Sequence, residues 1–296
     1  MRRELDFTSK RKMFLIISVV LIIVSVISMV TKGFNFGVDF AGGTDFVFSS
    51  KQELSVAELR DKLVSADGVF ENARISKMGD LKLEGDQAVS SFSVIVQGED
   101  IFNAAQREEL KAALPELKIE SFNTVSGFAA EELKEKSMWI AIIALAIILI
   151  YITVRFKFSF GLGAIIALAH DAIITLGLYS IFSIPFDVSV VAAILTLLGY
   201  SLNDTIVVYD RIRENMKRFR KDSMEKTINS SINQVLSRTI NTSLTTFIVV
   251  FTMLIFGGAG LQPFAFGMTV GVVVGTYSSI YIASPILIGM FDKSKK

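Results

Sequence analysis

The sequence predicts a polytopic α-helical membrane protein with six transmembrane helices and an α+β ferredoxin-like (βαββαβ) extracytoplasmic domain between helices 1 and 2. Three features carry that expectation. The 296 residues are 51% hydrophobic with mean hydropathy +0.53, more apolar than a soluble core requires. The apolar residues gather in long uncharged runs, and basic residues gather in alternate connections between those runs. One connection, residues 32–136, has ordinary soluble composition instead.

Residues 13–31 carry no charge, and at about 1.5 Å per residue they cross a hydrocarbon layer of roughly 30 Å with help from their flanks. A cleavable signal peptide is the competing reading. The run exceeds a usual h-region, and Lys32-Gly33-Phe34-Asn35-Phe36 offers no small-x-small cleavage site, so an uncleaved helix is favoured. Residues 137–154 form the second span, 158–182 the third around His170-Asp171, and 188–209 the fourth around Asp204. Residues 239–291 are 53 uncharged positions, too many for one crossing, and the Gly-rich stretch 257–263 divides them into spans five and six.

Charge sets the orientation. The N-terminal arm (Arg2, Arg3, Lys10, Arg11, Lys12), the link after span two (Arg155, Lys157), the link 211–238 with eight basic residues, and the tail (Lys293, Lys295, Lys296) hold the positive charge. The opposite connections 183–187 and 257–263 hold none, which makes both termini cytoplasmic. Five segments follow: a cytoplasmic arm 1–12, helix 13–31, an extracytoplasmic domain 32–136, the membrane region 137–291 with an amphipathic cytoplasmic link 211–237, and a cytoplasmic tail 292–296.

Within the external domain, alternation predicts strands at 45–49, 72–78, 88–97 and 116–123. Helical spacing predicts helices at 55–66 and 103–114. This order is that of a ferredoxin-like domain. In the link, apolar Ile212, Met216, Phe219, Met224, Ile228, Ile232 and Val235 among basic residues predict one or two interfacial helices, with Asp222 and Glu225 as a start signal. A solvated surface helix is the alternative, and contact with anionic lipid is favoured by the basic residues.

An ionisable group inside a span costs roughly 2.5 to 3.5 kcal/mol, so each one is a functional candidate. Asp204 ranks first, lying seven residues, or about 10 Å, inward from Arg211. Ser201, Thr205 and Val208 share its face, and Asn203 adjoins it. Arg238 opens span five ahead of a polar stripe with Thr242 and Thr245, and a reversible pairing with Asp204 is one reading; simple snorkelling of Arg238 is the other. Asp171 is a second candidate and His170 a weaker one, set against a buried pair that only fixes packing. An aspartate that gains or loses an arginine neighbour changes its proton affinity, which is the logic of a proton relay. Gly267, Gly271 and Gly275 recur every four residues and allow close helix packing, with or without sliding.

Net charge +1 gives no basic excess for nucleic acid. Zero Cys and one His exclude disulfides, thiolate chemistry and Cys-ligated metal, leave little for any metal, and no cofactor is expected. HExxH, GxSxG and P-loop motifs are missing, so neither peptidase nor ATPase chemistry has its residues. Intramembrane proteolysis by Asp171 with Asp204 is a minor alternative.

Four ordered segments resemble the SecF family, the smaller subunits of the SecD and SecF complex in bacterial protein export. They are 37–44 (GVDFAGGT), His170-Asp171, 199–215 (GYSLNDTIVVYDRIREN) and 236–239 (LSRT). The resemblance covers nearly the whole chain. It implies a half of a pseudo-symmetric twelve-helix bundle of the resistance-nodulation-division type, with SecD as the other half. It further implies proton-driven function through Asp204 and Arg238, with the SecYEG translocon, YajC, YidC and unfolded preprotein as partners. At 125–130 the chain reads VSGFAA where relatives often show Val-Gly-Pro-x-Val-Gly, so the resemblance carries no hinge role to that linker. Two other classes remain beside a proton-coupled export subunit: a small-molecule exporter acting as a homo-oligomer, and a passive translocon scaffold.

Overall fold

The computed structural model describes residues 5–78, 90–96, 104–219, 222–258 and 260–293. In chain order, helix α1 (Arg11–Thr31) leads to the short strand β1 (Asn35–Phe36) and the single-turn helix α2 (Val38–Ala41). Strand β2 (Gly43–Ser50), helix α3 (Val56–Ala66), a 3₁₀ turn (Gly68–Asn72), strands β3 (Arg74–Met78) and β4 (Ser90–Val96), helix α4 (Ala104–Ala113) and strand β5 (Leu117–Val125) follow. The chain then runs through helices α5 (Gly127–Arg155) and α6 (Phe158–Phe182), strand β6 (Pro185–Phe186), and helices α7 (Val188–Arg218) and α8 (Met224–Phe256). Helix α9 (Gln262–Ser278), a π-helical turn (Ser279–Ala283) and helix α10 (Ser284–Lys293) end it.

Among the described residues, six segments are long and apolar enough to cross a membrane: α1, α5, α6, α7, α8 and Gln262–Phe291. Helices α6, α7 and α9 form the interior, whereas α1, α5 and α8 leave most of their apolar side chains exposed around it. The small sheet has order β3-β4-β2-β5 with every neighbouring pair antiparallel. Its helix-facing side buries Phe46, Phe48 and Phe92 against Leu59, Leu63 and Phe70. Helix α3 starts on a reciprocal cap in which Ser55 Oγ accepts from Glu58 N at 3.2 Å and Glu58 Oε2 accepts from Ser55 N at 2.8 Å.

Three elements differ from expectation. The second spanning helix begins at Gly127, ten residues before the uncharged run, because Ser126 Oγ accepts from Ala129 N and caps it there. The basic link does not form separate interfacial helices: its residues lengthen α7 to Arg218 and start α8 at Met224. Their apolar side chains Ile212, Ile228 and Ile232 are buried between helices, so the amphipathic pattern reports helix pairing. Ser223, not Asp222, caps α8. Residues 1–4, 79–89, 97–103, 220–221, 259 and 294–296 lie outside the description, and with them Arg2, Arg3, Arg220, Lys221, Lys295, Lys296 and the ends of the expected strand 88–97 and helix 103–114.

A parallel pair of two-residue strands, β1 with β6, was not foreseen. It ties the segment after α1 to the α6–α7 connection, and Asp39 Oδ2 accepts from Val188 N at 3.1 Å beside the Asp187 cap on Val190 N. Gly42 (φ +69°) and Gly43 (φ +113°) then turn the chain into β2. A Cβ on Gly42 would stand 3.2 Å from Gly127 Cα, so the chain's exit from and return to the helices pass one another here with room only for glycine.

Candidate functional site

Helix α7 carries both halves of the site one turn apart on adjoining parts of one face. Ser201 points to α6 and α9, and Asp204 points to α8. On the first side, Asp171 of α6 is fully buried; its Oδ2 accepts from Ser201 Oγ at 2.5 Å and Ser278 Oγ at 2.7 Å, and its Oδ1 lies 2.8 Å from His170 Nδ1. His170 Nε2 continues to Ser18 Oγ of α1 at 3.1 Å, and Ser18 to Tyr277 OH at 2.8 Å. Tyr277 donates to Phe14 O at 2.6 Å, so Ser18 donates to Tyr277, and the imidazole in turn donates to Ser18. One line of hydrogen bonds thus joins α1, α6, α7 and α9 through Asp171.

On the second side, Asp204 is 2% exposed, and its Oδ2 accepts from Ser243 Oγ of α8 at 3.2 Å. Thr276 Oγ1 of α9 lies 2.6 Å from Ser243 Oγ. Arg238 is close enough to act on Asp204 electrostatically, yet among the described residues no ion pair joins them, and its side chain lies on the exposed face of α8. The reversible Asp204–Arg238 pairing, one of the two readings of Arg238, is not made in this arrangement.

The glycine stripe fits onto α7. Positions facing Gly267, Gly271 and Gly275 are Ala193, Leu197 and Ser201, themselves four residues apart. A Cβ at Gly271 would stand 2.6 Å from Leu197 Cδ1, one at Gly275 3.0 Å from Ser201 Cβ, and one at Gly267 would overlap the Tyr179 hydroxyl. Close backbone approach of α9 to α7 thereby places Ser278 and Thr276 within reach of the two carboxylate clusters.

The remaining sequence candidates fall elsewhere. Thr205 is buried beside Asp204 on α7. Asn203 is exposed, and Thr242 returns its hydroxyl to Arg238 O within its own helix, so neither touches Asp204. The partner that does is Ser243, with Thr276 behind it; neither falls on the polar stripe that Arg238, Thr242 and Thr245 define, and single serines in apolar runs such as Ser18 and Ser278 carry no signal. No group of three or more metal-ligating side chains occurs among the described residues.

Comparison with known proteins identifies this arrangement. The family described as "Protein export membrane protein SecD/SecF, C-terminal" matches residues 105–293, and the "SecD/SecF GG Motif" family matches residues 27–53. The chain belongs to the SecF family of protein translocase subunits. It is 48% identical to protein translocase subunit SecF of Petrotoga mobilis, covering 99% of this chain and 98% of that one. It is 41% identical to SecF of Rhodothermus marinus, covering 95% and 92%. The crystal structure of SecDF, a translocon-associated membrane protein from Thermus thermophilus, superposes with a TM-score of 0.84 at 34% identity. That match covers 98% of this chain and 39% of the SecDF chain, so this SecF-family chain spans about two fifths of it. SecDF in its super-membrane-facing form gives a TM-score of 0.69 at 33% identity, over 100% of this chain and 40% of that one. A SecF-family chain with six spanning segments is a multi-pass protein of the bacterial inner membrane, and its relatives are named as translocase subunits, not hydrolases.

Proposed function

We propose that this SecF-family protein couples the proton motive force to late stages of preprotein export, acting with SecD beside the SecYEG translocon. The observation that carries the reading is Asp204: a buried carboxylate with a single hydroxyl donor and an arginine nearby that is not paired with it. Gain and loss of a proton at Asp204 then changes the attraction for Arg238 and with it the fit of α8 against α7. Each proton crossing the membrane contributes roughly 2.3 kcal/mol per 100 mV, which several protons sum to a useful driving force. Asp171 and His170 form the second polar station, linked to Asp204 by one turn of α7.

The basic connections favour cytoplasmic termini, and the sheet with α3 and α4 then lies outside as a ferredoxin-like domain, its strand order 2-3-1-4 counted within the domain. In this reading the domain handles unfolded preprotein, YajC and YidC are neighbours, and the basic ends of α7 and α8 meet anionic lipid. Pairing with SecD is supported by the match to about two fifths of a SecDF chain, which leaves a second half to be supplied.

The test is export of a precursor into vesicles containing this protein and its partner, with and without a proton gradient, comparing Asp204→Asn with the parent at equal assembly. The gradient-dependent part of export should vanish in the variant. An equal gradient response in both would assign the proton path elsewhere and make this subunit a scaffold.

A further inference from the structure

A crevice of about 930 Å³ opens between α1, α6 and α10, away from Asp204 and the exposed face of α8. Its origin lies in Pro285. Proline has no N–H to donate one turn back, and the preceding segment Ser279–Ala283 is wound as a π turn. Helix α1 packs along α6 and touches that π turn, whereas α10 packs on α6 and α8 instead, and the wedge between α1 and α10 stays open. Its walls are apolar, with Leu15, Ile16, Val19, Ile166, Ile173 and Ile286. One end is cationic: Arg11 and Lys12 line it, Arg11 already pairs with Glu225 at 3.0 Å, and Lys12 has no ion-pair partner among the described residues. Ser18 and His170, the outer links of the Asp171 network, form part of the same lining.

An apolar slot along a spanning helix with a free ammonium at its headgroup end matches one ligand chemistry, an acyl chain bearing a phosphate. We propose that the crevice binds one anionic phospholipid, its phosphate on Lys12 and Arg11 and one acyl chain between α1 and α10. The chain lies over the α1–α6 seam beneath which Ser18 and His170 are buried.

The full chain, assembled with its partner, would be reconstituted in bilayers of equimolar phosphatidylglycerol and phosphatidylcholine with identical acyl chains. Lipid retained after gentle detergent release is then weighed by native mass spectrometry. One phosphatidylglycerol should be retained, enriched about fivefold over phosphatidylcholine, as a single unpaired lysine near the headgroup layer implies. Lys12→Gln should bring the ratio close to the bulk composition while a lipid is still retained. Gly289→Phe should abolish retention, since a side chain at Gly289 meets nothing within 4 Å and can enter the crevice it lines without displacing other groups. Equal retention of the two lipids by the parent would overturn the proposal, and so would undiminished retention in Gly289→Phe with the fold intact. A polypeptide found seated there, in place of lipid, would overturn it as well.

Discussion

Asp171 and Asp204 sit on neighbouring interior helices and are both buried, but their surroundings differ in the number of donors they meet. Asp171 takes hydrogen bonds from two serine hydroxyls and lies against His170, using most of what a carboxylate can accept. Asp204 takes one, from Ser243, and has its arginine at a distance. A carboxylate whose acceptors are filled from three helices holds those helices together. One with spare acceptors can change partner or protonation without breaking the packing around it. Burial alone would have ranked the two alike.

The largest effect that separates them is on stability. Asn at position 171 can keep its one oxygen on Ser201 and Ser278, which share Oδ2, and its amide then stands where Oδ1 faces His170 Nδ1, so the buried imidazole loses its acceptor. At about 1 to 3 kcal/mol for each such loss, Asp171→Asn should destabilise the folded chain by about 3 kcal/mol. Asn at position 204 still accepts from Ser243, so Asp204→Asn should stay within about 1 kcal/mol of the parent while losing the gradient-dependent part of export. Unfolding in detergent, run beside the export assay, reads both. Equal stability losses would remove the distinction.

Much of this was legible beforehand, for definite reasons. Long uncharged runs must be helices in a bilayer, since no water is there to satisfy the backbone, and so the six spans can be read from charge alone. Asp171 and Asp204 stand out as charges in those runs. What surrounds them does not: Ser243 is one of several hydroxyl residues on α8, and the choice between Thr242 and Ser243 depends on the rotation of α8 about its axis, set by packing against α7 and α9. The link 211–237 was misread for a related cause, because an amphipathic helix pairs with a helix or a lipid surface by the same pattern. The β1–β6 pair leaves no trace in periodicity, being two residues long.

A third carboxylate offers a control outside the spans. Asp45 on β2 also accepts from a single serine, Ser93 Oγ at 2.9 Å. Burial, with smaller repulsion from Asp187 and Asp39, pushes its pKa up to about 6 against the pull of that hydrogen bond. The folded state therefore holds this proton more tightly than the unfolded chain does. Between about pH 4 and 6 the unfolded chain releases it first, so the Asp45 contribution to stability falls as pH rises and levels off above pH 6. Asp45→Asn keeps an acceptor for Ser93 and should flatten that slope, raising stability near pH 7 by on the order of 2 kcal/mol in denaturant titrations of the full chain. An unchanged slope would show that a lone hydroxyl donor is enough to hold a half-buried carboxylate ionised.

The smallest effect is the most selective. Ser201 donates to Asp171 and stands against Gly275, where an added methyl would sit 3.0 Å from its Cβ. Gly275→Ala should therefore move Ser201 by a few tenths of an ångström and cost about 1 kcal/mol, partly by stretching the Ser201–Asp171 bond. If so, Gly275→Ala and Asp171→Asn act on one contact, and the double variant should be less damaged than the sum of the two by about 0.5 kcal/mol or more. Gly275→Ala and Asp204→Asn share no contact, and their effects should add. The cycle measures which carboxylate the α7–α9 packing serves: coupling to Asp171 alone makes that cluster the fixed joint, whereas coupling to Asp204 would mean that the two carboxylate clusters move as one.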